Sequence, residues 1–234
     1  PALAGEYVLY CSIGNHRQLG MEGTLFVEPP AEEPEEVVTG LLHPRGLNVD
    51  GTRLLIAEGG TGEPNMGGGF AIGNEDGRVT FFDLETGESV VVVDGLMNAV
   101  DPGGGVVGAN LAVWRGAPAA SDTMMVALAG GAPDREPRAK ILIGMPGGQF
   151  SELADVWAIE EELDPLGPEV DSNPWRMVEG ADGRWLISDA GANAVWAMGT
   201  DGSLSLWATI DSPMTQPDGS VVPSVPTGLV RDPA

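Results

Sequence analysis

The sequence predicts an all-β fold, a β-propeller of four-stranded antiparallel blades, and three observations carry that prediction. The 35 Gly and 19 Pro are spread among short apolar runs instead of massed in tracts, the punctuation expected of many strands and turns. A strand–turn–strand frame recurs along the chain. Hairpins of two kinds alternate, and one of each makes a unit of roughly 40–50 residues, the size of a propeller blade. A sandwich or barrel would supply many strands without that alternation.

Taken along the chain, the outer hairpin is legible at "GTLFVEPPAEEPEEVVTGL" (Gly23–Leu41), "GRVTFFDLETGESVVVVDGL" (Gly77–Leu96), "AKILIGMPGGQFSELADV" (Ala139–Val156) and "NAVWAMGTDGSLSLWATI" (Asn193–Ile210). Each has an alternating or β-branched run, a polar turn such as "LETGES" or "GTDGS", and a second run. The inner hairpin precedes three of them. "HPRGLNVDGTRLLIAEGG" (His43–Gly60) and "NPWRMVEGADGRWLISDAG" (Asn173–Gly191) align closely, and Val107–Gly131 fits the same frame with a looser turn. "VPTGLVRDPA" (Val225–Ala234) begins another such unit. The expected blades are Glu6–Leu42, His43–Val100, Gly105–Val156 and Ser172–Ser212, with a fifth opening over 222–234, all in one domain spanning 1–234. "FSELADVWAIEEEL" leaves room for one short helical turn, and helix periodicity is otherwise absent.

Bulk properties exclude several functions. The chain carries 35 acidic against 11 basic residues, a net charge of −24, and Lys140 is its only lysine. A nucleic-acid binder needs a basic footprint, which is missing. An anionic membrane surface would repel the chain, and no apolar run approaches the roughly 18–20 residues of a membrane span. Such acidity suits solubility and favours cations as partners. Cys11 is the single cysteine and can form no internal disulfide; within "YVLYCSIG" it reads as part of a packed strand. The sequence opens without an initiator Met or signal peptide, as a processed or excised segment would.

The residues of "HPRGLNVDGTRLLIAEGG", "GRVTFFDLETGE", "DSNPWRMVEGADGRWLISDAGANAVWAM" and "VPTGL" resemble the scytonemin-biosynthesis D/E-type (ScyD/ScyE) family, which is similar in turn to six-bladed NHL and SMP-30-like (TolB-like) propellers. The resemblance runs in order over about residues 40–234, and "DSNPW" with "DAGAN" is its most specific part. It implies a six-bladed propeller in the periplasm or outside the cell. By that pattern the chain is C-terminally incomplete, the alternative being four blades closing alone. "DSNPW" followed by Arg departs from the Tyr-Gly expected there.

In a propeller the loops leading into the innermost strands line one mouth of the central channel. Arg45, Asn110, Asn173 and Thr227 fall at those points, with Asp171 and Trp175 beside them. Convergent polar groups there suit a small ligand or a cation. Asp171 and Asn173 are open to two readings, turn fixation before Pro or ligand contact. Arg45 is equally open, as a structural ion pair or as the holder of an anionic group, and Trp175 could stack on an aromatic or sugar-like ligand. A metal set of Glu58, Asp171, Asn173 and Asp189 would take Ca²⁺, which favours six to eight oxygens at roughly 2.3–2.6 Å; no cofactor is certain. Asp189 and Asn193 in "DAGAN", with Glu58 at the equivalent earlier position, read more readily as Asx-type turn fixation. His16 in "GNHRQLG" is a weak acid–base candidate without a partner carboxylate. The Gly-rich stretch Gly59–Gly73 lacks the Lys and helix of a phosphate loop and reads as a flap, with Met66 and Phe70 over the channel or on its rim.

Three functions stay open. The favoured one is an extracytoplasmic binding or scaffold propeller recognising a small molecule or protein at its channel face. The second is a divalent-cation enzyme, lactone hydrolase-like or oxidoreductase-like, acting on a small or aromatic substrate. The third is a surface module whose acidity serves solubility. Fold does not choose among them. Oligomeric state is not readable from the chain.

Overall fold

A computed structural model describes residues 5–10, 17–19, 22–27, 36–62, 71–72, 74–101, 104–116, 123–130, 138–167, 170–211, 213–215, 218–222 and 225–231. The chain divides into two compact units, Pro1–Thr39 and Gly40–Ala234. Cys11, His16, Met66 and Phe70 lie outside the described residues. Among the described residues, no helix is long and apolar enough to cross a membrane.

In the first unit β1 (Gly5–Tyr10) pairs antiparallel with β2 (Glu22–Val27), Gly5 opposite Val27 and Tyr10 opposite Glu22. This is not the outer hairpin expected at Gly23–Leu41. Its second run, residues 36–41, forms no strand, and Glu22–Val27 takes its partner from upstream. The "YVLY" strand is also not packed: Val8 and Leu9 are 53% and 57% exposed.

The second unit holds three four-stranded antiparallel sheets, each a simple meander. The first is β3 (Pro44–Asp50), β4 (Arg53–Glu58), β6 (Gly77–Asp83) and β7 (Ser89–Leu96). Short strands β5 (Ala71–Ile72), β8 (Ala99–Val100) and β9 (Val106–Val107) form a three-stranded side sheet. The second meander is β10 (Ala109–Trp114), β11 (Met124–Leu128), β12 (Lys140–Gly144) and β13 (Phe150–Asp155). Helix α1 (Val156–Leu163) follows. The third meander is β14 (Pro174–Glu179), β15 (Trp185–Asp189), β16 (Ala194–Met198) and β17 (Leu204–Thr209). Short strands β18 (Met214–Thr215) and β19 (Val221–Val222) pair beyond it, whereas residues 225–231 form no strand where the sequence predicts one.

Stacked meanders with their first strands side by side are propeller blades, so the predicted fold class holds. Leu55, Ala57, Val79 and Val93 of the first blade pack on Ala112, Met124 and Val126 of the second. The other face of the second blade, with Leu111, Met125 and Ile141, packs on Met177, Ile187, Trp196 and Met198 of the third. Strands flanked by neighbours on both faces lose their alternation and read as continuous apolar runs, as "MMVAL" in the middle blade does; "AVWAM" in the third blade is also buried throughout. The outermost strand β17 is mostly exposed. The Asp-Gly turn between β3 and β4 is as the sequence predicts, with Gly51 at φ 63°, a conformation glycine adopts without strain.

Helix α1 is longer than the single turn anticipated. Asp155 caps its N-terminus, accepting from the Ala158 amide at 2.9 Å, and the chain leaves it at Asp164 in a left-handed conformation (φ 36°). Val156, Trp157 and Glu160 face inward, the spacing that places side chains on one face of a helix.

Candidate functional site

Each innermost strand slips register at its start. The shifts fall between Pro44 and Gly46, between Ala109 and Leu111, and between Pro174 and Arg176. The residues left over are Arg45, Asn110 and Trp175, one from each blade. A bulge bends its strand and re-aims the side chain of the extra residue, and here the three meet. Arg45 Nε donates to Asn110 Oδ1 at 2.6 Å, and Arg45 Nη1 donates to the Val106 carbonyl at 2.6 Å. The guanidinium carbon sits 5.1 Å from the centre of the Trp175 ring, within cation–π range. Asn110 is fully buried, and its Nδ2 donates to Asn173 Oδ1 and to the Pro174 carbonyl, both at 2.8 Å.

Arg45 and Trp175 are partly exposed, Asn110 is not. Burial pulls the Arg45 guanidinium pKa down, and the Asp101 carboxylate nearby acts the other way. The bulge cluster thus sets one cation, with the Asp101 carboxylate near it, against an aromatic face.

The structure brings together four of the six residues expected at the mouth: Arg45, Asn110, Asn173 and Trp175. Their register differs from the one expected. Trp175, not Asn173, stands in line with Arg45 and Asn110, because Pro44 and Pro174 occupy matching positions and the bulge follows the Pro. Asp171 is exposed, and its backbone N–H donates to Glu160 Oε1 at 3.1 Å. Thr227 is exposed in a stretch without a strand and does not join the cluster.

Of the expected metal set, Glu58 and Asp189 serve their own blades. Glu58 ends β4 fully buried; it accepts from the Leu42 amide at 2.5 Å, from Thr80 Oγ1 at 2.5 Å and from Arg78 Nε at 3.0 Å. Asp189 ends β15 in the matching place. Its Oδ1 takes the amides of Asn173 (2.6 Å), Gly191 (3.2 Å) and Ala192 (3.2 Å), and its Oδ2 takes Ser172 Oγ (2.6 Å) and Trp196 Nε1 (3.0 Å). Both acids tie the start of their blade's first strand to the end of its second. The middle blade has Leu128 at this point. Among the described residues, no group of three or more acidic, His or Cys side chains is placed to hold a metal. Asp189 makes the contacts of a turn-fixing residue, whereas Asn193 Oδ1 has no hydrogen-bond partner among the described residues.

Two contributors escaped the sequence reading, the Val106 carbonyl and Asp101. Both belong to the connection between blades, where no periodicity marks a residue. Glu160 also went unremarked, although its four-residue spacing from buried Val156 places it on the inner face of α1.

No family model matches the chain, and no curated protein does. Among solved structures, it is similar to a protein provisionally assigned as a gluconolactonase, at 13% identity and a TM-score of 0.32 over 75% of this chain and 66% of that one. It is also similar to a catalytically inactive variant of virginiamycin B lyase from Staphylococcus aureus, solved with quinupristin, at 12% identity and a TM-score of 0.28 over 73% of this chain and 71% of that one. The chain thus spans about two thirds of each protein's length.

Proposed function

We propose that this propeller is a binding module taking a small planar anion, such as an aromatic carboxylate, where Arg45 and Trp175 meet at the strand bulges. The observation that carries this reading is the convergence of three bulged residues, one per blade, with a partly exposed guanidinium on an indole face. Nε and one Nη1 hydrogen are committed to Asn110 and Val106, and a guanidinium has five N–H donors in a planar fork suited to carboxylates. Asn110 and Asn173 act as positioning residues that hold the fork flat. The reading is one of binding because what the cluster offers is a charged fork on an aromatic face, with the Asp101 carboxylate as the counter-charge nearby. Kinship with the ScyD/ScyE family and an extracytoplasmic location belong to the same proposal, on the sequence resemblance alone.

Tryptophan fluorescence titration with benzoate, cyclohexanecarboxylate and phenol tests it. Benzoate is expected to saturate a signal in about the millimolar range or tighter and to outbind the other two. Arg45→Lys, which keeps the charge and loses the planar fork, and Trp175→Leu should each weaken benzoate about ten-fold or more. Absence of saturation, or equal binding by Arg45→Lys, would sink the proposal.

A further inference from the structure

A cavity of about 80 Å³ lies between α1 and the loop after β15. Glu160, Asp164, Leu166, Gly167, Gly191 and Asn193 line it. Its chemistry is lopsided. The Asp164 amide donates to the Glu160 carbonyl at 2.7 Å, and the Gly167 amide to Asp164 Oδ1 at 3.2 Å. The Gly191 and Ala192 amides are committed to Asp189 Oδ1. These wall donors are therefore spent.

Acceptors remain. Glu160 is only 4% exposed, and its Oε2 has no hydrogen-bond partner among the described residues; the same holds for Asn193 Oδ1. Unpartnered buried acceptors cost free energy, and a carboxylate costs most. Burial, helped by Asp189, Asp171 and Asp164, pushes the Glu160 carboxyl up to about 7, even though the Asp171 amide bonds its other oxygen. A cavity walled by two residues with buried, unpartnered oxygens fits a positive occupant.

We propose that this cavity is a cation site, in which Glu160, Asp164 and Asn193 present oxygens to a hard, calcium-like ion and water completes its shell. Hard cations take oxygen ligands of mixed type, carboxylate, amide carbonyl and water together. The cavity has room for an ion and one or two waters, since a water occupies about 30 Å³ of liquid. The site differs from the channel-mouth set expected from the sequence, in which both oxygens of Glu58 and both of Asp189 are committed to their own blades. It would hold α1 against the third blade and, through the Glu160–Asp171 bond, steady the approach to β14.

Calorimetric titration of EDTA-stripped protein with CaCl₂ tests this directly, at fixed ionic strength, with MgCl₂ and NaCl arms. Fixed ionic strength is essential because a charge of −24 attracts any cation diffusely. The expected result is one saturable Ca²⁺ event, preferred over Mg²⁺, with a matching rise in Tm. Glu160→Gln should weaken it about ten-fold or more. Asn193→Gly, which suits the left-handed backbone there (φ 50°), should weaken it less, and exposed Glu179→Gln should leave it unchanged. Glu160→Gln removes a buried charge and should stay folded; if it does not, Asn193→Gly carries the test. Equal heats in all three salts, or Ca²⁺ binding untouched by both cavity variants, would overturn the proposal and leave Glu160 protonated or hydrated.

Discussion

Asp189 shows how much structure one acid organises in this molecule. Five donors from three parts of the third blade converge on its two oxygens. Elsewhere, exposed aspartates do the same at smaller scale. Asp182, Asp201 and Asp218 each accept the amide two residues on, and those hydrogen bonds, with side-chain bonds from Arg184, Ser203 and Ser220, hold their pKa values below the usual range. Part of the chain's acidity is thus turn chemistry. Asp189→Asn would point an NH₂ group at donors in place of one oxygen, stranding either Trp196 Nε1, which can only donate, or the three amides. Leaving a buried donor unpaired costs about 1–3 kcal/mol. The expected outcome in urea unfolding is a loss of about 2 kcal/mol with an unchanged m-value.

At the scale of elements, the blades are set by how closely their first strands approach. A side-chain carbon at Gly46 would collide with the Asn110 carbonyl of the second blade, and one at Gly130 with the Ser172 carbonyl of the third. Glycine is required at these points because backbone meets backbone. This close approach also places Arg45 within reach of Asn110 and Trp175. Gly46→Ala should therefore destabilise by about 1–3 kcal/mol, the range for forced overpacking, and should weaken benzoate binding without touching a ligand-contacting side chain. If thermal melts and titrations show Gly46→Ala unchanged in both, the inner strands do not set the site.

Across the whole molecule, electrostatics govern the response to pH. The Glu160 carboxyl, ordinarily at 4.5, is raised to about 7 in the fold, where Asp164, Asp171 and Asp189 face it. Between those values the folded state keeps a proton that the unfolded chain has released. Its stabilising contribution is complete below about pH 4.5 and is lost as pH rises towards 7. In EDTA, Tm should fall from about pH 5 to 7.5, and Glu160→Gln should remove part of that fall. Repulsion within a chain of −24 acts in the same direction, so the difference between wild type and variant isolates Glu160. Identical slopes would show that the carboxyl titrates normally.

The sequence by itself determined the class of fold, its three inner–outer hairpin pairs after residue 40 and its turn acids, because alternation, Asp-Gly turns and Asx bonds act over a few residues. It failed at residues 36–41, where "EVVTGL" looked like a strand and formed none; β-propensity there found no partner to bury against. It named most of the mouth residues but not their register, since a bulge of one residue leaves no mark on composition. Tertiary structure alone decided that Arg45 reaches Asn110, 65 positions away, and stacks on Trp175, that Glu58 and Asp189 serve their own blades, and that Glu160 keeps one oxygen free. Each of these depends on which strands lie side by side, and that is settled by burying both faces of the middle blade.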